Sequence, residues 1–385
     1  PDRARTVNPR PPLDVAIAGA TDIGEVREHN EDHVLVGDLD SEQLLDLKER
    51  WTSSADRGPL LIVCDGMGGV DGGEVASELA AQSFWREMMP TPATRDPEVF
   101  ARLLRRASRV ANHDVFAMAK KEPGLRGMGT TLSAAGIIGD RLIVATVGDS
   151  RVYVLRAGAL VQVTRDQSLQ SALIAAGHTP NEAASAGGAI LQALGVADDV
   201  EPSLSITEIR KGDRILMCSD GLHGLVGDPA LAVLLSTPHT VDESAQLLIA
   251  AARAAGGTDN ITAVVAEVGG ERLVEPSSDD DLPVFREFDP QREGDPALTS
   301  TSYVARRLAA KIGLPTTNLP SMIPVTGQHR ILQSRIGPRI PVTAIPIPDS
   351  EGPARERLRQ AALPWSWYLA IAIVGCAIAW VLGGR

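Results

Sequence analysis

Carboxylates stand at the ends of apolar runs at several places along the chain. Leu60-Leu-Ile-Val-Cys runs into Asp65-Gly-Met-Gly-Gly69, and Arg214-Ile-Leu-Met-Cys-Ser runs into Asp220-Gly. Asp259, in Gly257-Thr-Asp-Asn-Ile, directly precedes the run 261–268. Asp149 closes a further run in Val147-Gly-Asp-Ser-Arg151. Arg27-Glu-His-Asn-Glu31-Asp32 sets a carboxylate pair just ahead of 33–36. A single Asp-Gly after a strand is ordinary turn chemistry. Several together are different, because strand ends of one sheet can converge on one rim. Clustered carboxylates repel unless neutralised, and a hard divalent cation is their natural partner. An all-oxygen donor set favours Mg²⁺ or Mn²⁺ over zinc or copper. Two such ions about 4 Å apart can bridge and activate one water for in-line attack on a phosphoryl group.

Positioning those residues requires strands. Short β-type runs recur at 15–18, 33–36, 60–64, 142–147, 152–155, 204–209, 215–218 and 261–268. Gly139-Asp140 and Lys211-Gly212-Asp213 read as hairpin-like turns. Helical spacing appears from Glu74, with Ala76, Leu79, Ala80, Phe84 and Met88 on one face. A second helix is expected after Asp96-Pro97, an N-cap followed by a first-turn proline, with Val99, Leu103, Ala107, Val110 and Met118 on its apolar face. A third is expected over 242–255. Strands joined mostly by turns, with helices in separate blocks, predict an α+β domain of antiparallel sheets covered by helices over 13–268.

In this order and spacing, Arg-x-x-Asn-Glu-Asp (27–32), Asp-Gly-Met-Gly-Gly (65–69), Gly-Thr-Thr (129–131), Gly-Asp-Ser-Arg (148–151), Ser-Asp-Gly-Leu (219–222) and Asp-Asn-Ile-Thr (259–262) form a specific set. It resembles the bacterial PPM (PP2C-type) metal-dependent serine/threonine protein phosphatases over roughly 15–268. The resemblance implies a layered α-β-β-α sandwich with a binuclear metal centre at one end, and a catalytic domain that works as a monomer on phosphorylated proteins. It implies that Asp65 bridges both ions and that the Gly66 carbonyl binds one. Glu31 would hold the second ion, directly or through water, with Asp32 as its hydrogen-bonded neighbour, and Asp220 and Asp259 would complete the first. Asp149, with Asp220, matches the position of a third, weaker ion. Arg27 matches the residue that grips the substrate phosphate, and a guanidinium suits that role because it is always charged and donates two parallel hydrogen bonds.

The sequence departs from the family pattern in three places. Met67 stands where animal members carry a histidine, and a Met cannot donate a proton, so water must protonate the leaving oxygen. Residues 39–57 form an insertion between two early strands. The flap-like region 167–194 lacks the His-Pro-x-Arg-like element of many bacterial relatives, so substrate choice does not transfer. Among rival chemistries, His29 and His33 have H-x-x-x-H spacing, but on a segment entering a strand they lie far apart. A cysteine-based phosphatase needs an Arg six positions after its Cys, and positions 70, 224 and 382 are Val, Gly and Leu. No P-loop motif occurs. The alternative from another class is a catalytically weak scaffold or membrane-tethered signalling module on the same fold. The full set of carboxylates favours the enzyme.

The net charge of −12 argues against nucleic acid as a partner, since backbone phosphates need a basic face. Cys64, Cys218 and Cys376 make no CxxC pair and read as small buried hydrophobes in a reducing compartment. The start, PDRARTVNPRPP, has no apolar run, and no signal peptide is expected. Residues 271–362 are Pro-rich with charge blocks such as Asp279-Asp280-Asp281, and read as a disordered linker with one short helix at 302–312. Residues 363–382 are uncharged, flanked by Trp365, Trp367 and Tyr368 at one end and Trp380 at the other, with Arg355, Arg357 and Arg359 before them. That pattern predicts a transmembrane helix, a tail anchor in the inner or plasma membrane lipid, with the catalytic block in the cytosol. A cognate membrane Ser/Thr kinase is the expected counterpart.

Overall fold

A computed structural model describes residues 11–53, 57–69, 72–184, 188–278 and 281–289. The strands are β1 (Leu13–Asp22), β2 (Asp32–Asp38), β3 (Gln43–Leu44), β4 (Arg50–Ser53), β5 (Arg57–Met67), β6 (Gly129–Thr130) and β7 (Leu132–Ile138). They continue with β8 (Arg141–Val147), β9 (Arg151–Arg156), β10 (Ala159–Gln162), β11 (Ser203–Glu208), β12 (Arg214–Cys218), β13 (Ile261–Gly269) and β14 (Phe285–Glu287). The helices are α1 (Gly72–Met88), α2 (Pro97–Lys121), α3 (Leu169–Ala175), α4 (Pro180–Ala184), α5 (Asp220–His223), α6 (Asp228–Ser236) and α7 (Val241–Ala254).

Two antiparallel sheets stack face to face. One runs β10-β9-β12-β13-β1-β4, and the other runs β14-β11-β8-β7-β5-β2-β3 with β6 paired to β5. The central strands are apolar on both faces, and each face packs on a different layer. Along β5, Leu61 and Val63 face the other sheet, where they meet the layer containing Ile17, Val154, Met217 and Val264. Leu60, Ile62 and Cys64 face outward to Phe84 and Met88 of α1 and Phe100 and Leu104 of α2. On the far side, Leu216, Cys218 and Val265 pack under Leu231, Ala245 and Leu248 of α6 and α7. Three apolar layers therefore separate helices, sheet, sheet and helices, the expected α-β-β-α sandwich.

Local readings and tertiary outcome differ at several points. The apolar face of α2 is Phe100, Leu104, Ala107, Ala111 and Val115, whereas Val99 is exposed. The expected face through Val99, Leu103 and Val110 is rotated by about one residue, because Phe100 and Leu104 are the larger anchors. β7 was not among the expected strands. Its run Leu-Ser-Ala-Ala-Gly-Ile-Ile is buried at every position and shows no alternation. The Lys211-Gly212-Asp213 turn does not close a hairpin: β11 and β12 lie in different sheets, and the turn carries the chain between layers. Gly139-Asp140 does join a hairpin, β7 to β8. The insertion after β2 crosses to the other sheet, where β4 pairs with β1 and covers its edge. The expected linker from 271 begins instead with a packed segment, in which β14 pairs with β11 and Phe288 packs beside α2. The 302–312 helix, Cys376 and the 363–382 span lie outside the described residues. Among the described residues no helix is long and apolar enough to cross a membrane.

Candidate metal centre

Strand pairing brings the separated motifs to one rim. Asp32, the first residue of β2, lies directly opposite Asp65 on β5. β6 crosses the end of β5 opposite Gly66 and Met67, and a clasp locks the Asp65 backbone there. Its N–H donates to Thr131 Oγ1 (3.0 Å), while its carbonyl accepts from Thr131 N (2.8 Å) and Thr130 Oγ1 (2.9 Å). Thr131 Oγ1 in turn bonds Ser150 Oγ at 2.7 Å, which ties the Asp149 loop to the same point. Gly66 has no room for a side chain: a Cβ would collide with the Gly73 and Glu31 carbonyls. Gly148 turns the chain into Asp149 with φ of +96°, a conformation natural to glycine.

Asn260 and His223 hold the remaining pieces, and neither was assigned a role from sequence. Asn260 Oδ1 accepts from Glu31 N (2.9 Å), and its amide donates to the His29 carbonyl (2.9 Å) and the Ile23 carbonyl (3.1 Å). Its place in the Asp-Asn-Ile-Thr motif was the available signal. His223 Nε2 donates to the Asp149 carbonyl at 3.1 Å, and burial pushes its pKa down to about 4, so it stays neutral. Nothing in the sequence distinguishes it from a surface histidine of a helix.

The carboxylates repel one another. Burial, then the fields of Asp32, Asp220, Asp149 and Asp259, holds Asp65 well above the usual range. Burial also pushes Asp32 and Asp149 up to about 7, with Asp220 adding to both. Asp220 is raised by burial and by Asp259, although its carboxylate accepts a hydrogen bond from Asp65. Glu31 is raised by burial, which the Arg27 charge partly offsets. Moving a buried carboxyl such as Asp32 from its usual range to about 7 costs the ionised form on the order of 4 kcal/mol. Ser219 Oγ donates to Asp32 Oδ2 at 2.7 Å, but Asp32 Oδ1 and Asp149 Oδ1 are buried with no hydrogen-bond partner.

Arg27 meets a carboxylate of the same rim, donating from Nη2 to Asp259 Oδ2 at 2.8 Å. Among the described residues no three His, Cys, Asp or Glu side chains close on a single point. The donor set nevertheless fits hard cations. It is all oxygen, and it contains two buried oxygens without partners. His33 feels the charge of Glu78 of α1, and among the described residues no group of three such side chains joins it with His29 at a common site. Cys64 and Cys218 are buried, and burial raises both thiols, which removes them from nucleophilic chemistry.

This fold has counterparts in known proteins. A family model described as protein phosphatase 2C matches residues 47–253, and the chain belongs to that family. The serine/threonine phosphatase Stp of Listeria monocytogenes is 35% identical over 64% of this chain and 93% of its own length. The serine/threonine protein phosphatase PstP of Mycobacterium tuberculosis is 39% identical over 65% of this chain but only 44% of its own length. The solved catalytic domain of PstP in complex with two manganese ions is 39% identical with a TM-score of 0.56, covering 67% of this chain and 99% of that structure.

Proposed function

We propose that the chain is a metal-dependent phosphatase that removes phosphate from phosphoserine and phosphothreonine of proteins. The observation that carries this reading is the rim of mutually repelling buried carboxylates, two of them with buried oxygens that have no partner. Two Mn²⁺ or Mg²⁺ ions bound there supply a water activated for attack on phosphorus. Asp65, Asp220, Asp259, Glu31 and the Gly66 carbonyl are the residues to hold them, with Asp149 and Asp220 shared by a third, weaker site. Asp32, held by Ser219, stands opposite Asp65 and completes the set of carboxylates. Arg27, already at the rim through Asp259, is the guanidinium placed to take the substrate phosphate. Met67 offers no proton, so the leaving serine or threonine oxygen is protonated from water. The purified full chain should hydrolyse p-nitrophenyl phosphate and a phosphothreonine peptide with Mn²⁺ and lose both activities in EDTA. Full activity in EDTA would overturn the assignment.

The reading extends to location. The apolar stretch 363–382, with its aromatic flanks and Arg355, Arg357 and Arg359 on one side, has the composition of a single membrane span with the catalytic domain in the cytosol. Such a tether would raise the local concentration of membrane-bound phosphoproteins around the catalytic domain. Those made by a membrane-bound Ser/Thr kinase are the suited class. Full-length protein recovered in the soluble fraction would defeat this part.

A further inference from the structure

The segment after the last core strand is built into the domain, and it reaches the flap. β14 is the outermost strand of its sheet, with Phe285 opposite Thr207 and Glu287 opposite Ser205. Arg165 Nε donates to Glu287 Oε1, and the same guanidinium lies 5.8 Å from the Phe285 ring centroid. These side chains close a small cavity with Thr146, Val163 and Ser205. From Arg165 the chain leads straight to the metal rim. Asp166 takes a two-point ion pair from Arg151 (2.7 Å from Nη2), beside Asp149. Gln167 exchanges hydrogen bonds with Gly148, its N–H donating to the Gly148 carbonyl (2.8 Å) and its Oε1 accepting from Gly148 N (3.0 Å). Ser168 caps α3, and Gln192, from the returning arm, donates to Gln167 Oε1 at 3.0 Å. Three consecutive residues thus grip β14, Arg151 and Gly148, and both arms of the flap spring from that grip.

We propose that β14 is a positioning element for the phosphatase site: Glu287 and Phe285, through Arg165, hold the base of the flap in register with Gly148 and Asp149. The chain following the domain thereby sets how the flap meets a protein substrate. This rests on the phosphatase reading above. Glu287 is a positioning residue and touches no reacting atom. Arg165 is 41% exposed and Glu287 14%, so the pair is partly screened and its loss should loosen the flap without unfolding the sheet.

The test uses the full chain carrying Glu287→Gln, Phe285→Ala, or Arg165→Ala with Glu287→Gln, at saturating Mn²⁺. The KM for a phosphothreonine peptide should rise about fivefold with kcat held, while p-nitrophenyl phosphate, too small to reach the flap, should be unaffected. The double variant should match Glu287→Gln alone, as expected for one coupled contact. Amide hydrogen exchange over 168–184 should speed up in Glu287→Gln and Phe285→Ala. Unchanged exchange in both variants would overturn the proposal, as would an equal loss on both substrates. If the wild type turns over neither substrate, the phosphatase reading falls, and exchange still decides the coupling.

Discussion

The two ends of β12 bury aspartates in opposite ways. Asp213, just before the strand, receives Arg156 at both oxygens (2.8 and 2.7 Å) and also accepts from Arg210 N, with both side chains of the ion pair nearly inaccessible (2% and 0%). Asp220, just after it, feels the charge of Asp259 and itself raises Asp65, and Arg27 meets the group at Asp259. Desolvation is severe at both ends. At one end every charge is matched, and the ion pair fastens β9 to the turn between the sheets. At the other, carboxylates are collected on a rigid frame, and among the described residues Arg27 at Asp259 is the one ion pair they make. A fold that tolerates this arrangement has a use for an external positive charge.

Paired substitution separates the two ends most widely. Asp65→Asn should lower kcat by about 10³-fold or more, because it removes the carboxylate proposed to hold both ions. The melting temperature of the metal-free protein should stay level or rise, since a repelling group is gone. Asp213→Asn should do the reverse, costing about 3–5 kcal/mol of stability by stranding Arg156, with metal affinity intact in the folded fraction. Calorimetry with and without EDTA reads both. Equal destabilisation by the two variants would erase the distinction between the ends.

Titration sharpens it next. Asp32 and Asp149 have folded pKa values near 7, raised above their unfolded values. Their contribution is therefore present at low pH and lost as pH rises through 7. His223, depressed to about 4, acts in the other direction but only below pH 6.5. Between pH 6.5 and 8 the EDTA-treated protein should lose stability, while the Mn²⁺-loaded protein should not. The Mn²⁺-dependent gain in melting temperature should grow across that window, and a gain independent of pH would count against carboxylate repulsion. The smallest effect is expected at Arg27. Arg27→Ala should raise KM by about tenfold with Mn²⁺ affinity retained, and loss of metal instead would reassign that arginine to the frame.

Much of the site was legible in the chain because strand ends announce themselves locally. An apolar run, an aspartate and a glycine are contiguous at Asp65 and Asp220. Strand existence was legible for the same reason, since apolar runs are short-range signals. β7 escaped because a strand buried on both faces has no period to detect, and β14 because three residues in a Pro-rich tract carry no pattern.

Which oxygens are available, which strands deliver them and the class of ion they suit could be read along the chain. Those properties belong to side-chain type and to neighbours within a few residues. Tertiary structure alone decided that Asp32 faces Asp65, that Ser219 reaches back to Asp32, that Asn260 binds the Glu31 loop, and that Arg27 meets Asp259. It also decided which sheet each strand joins and that the tract after β13 returns to pair with β11. These contacts join residues as far apart as Arg27 and Asp259, separated by 232 positions. Their geometry follows from strand order and layer packing, which no local run of residues encodes.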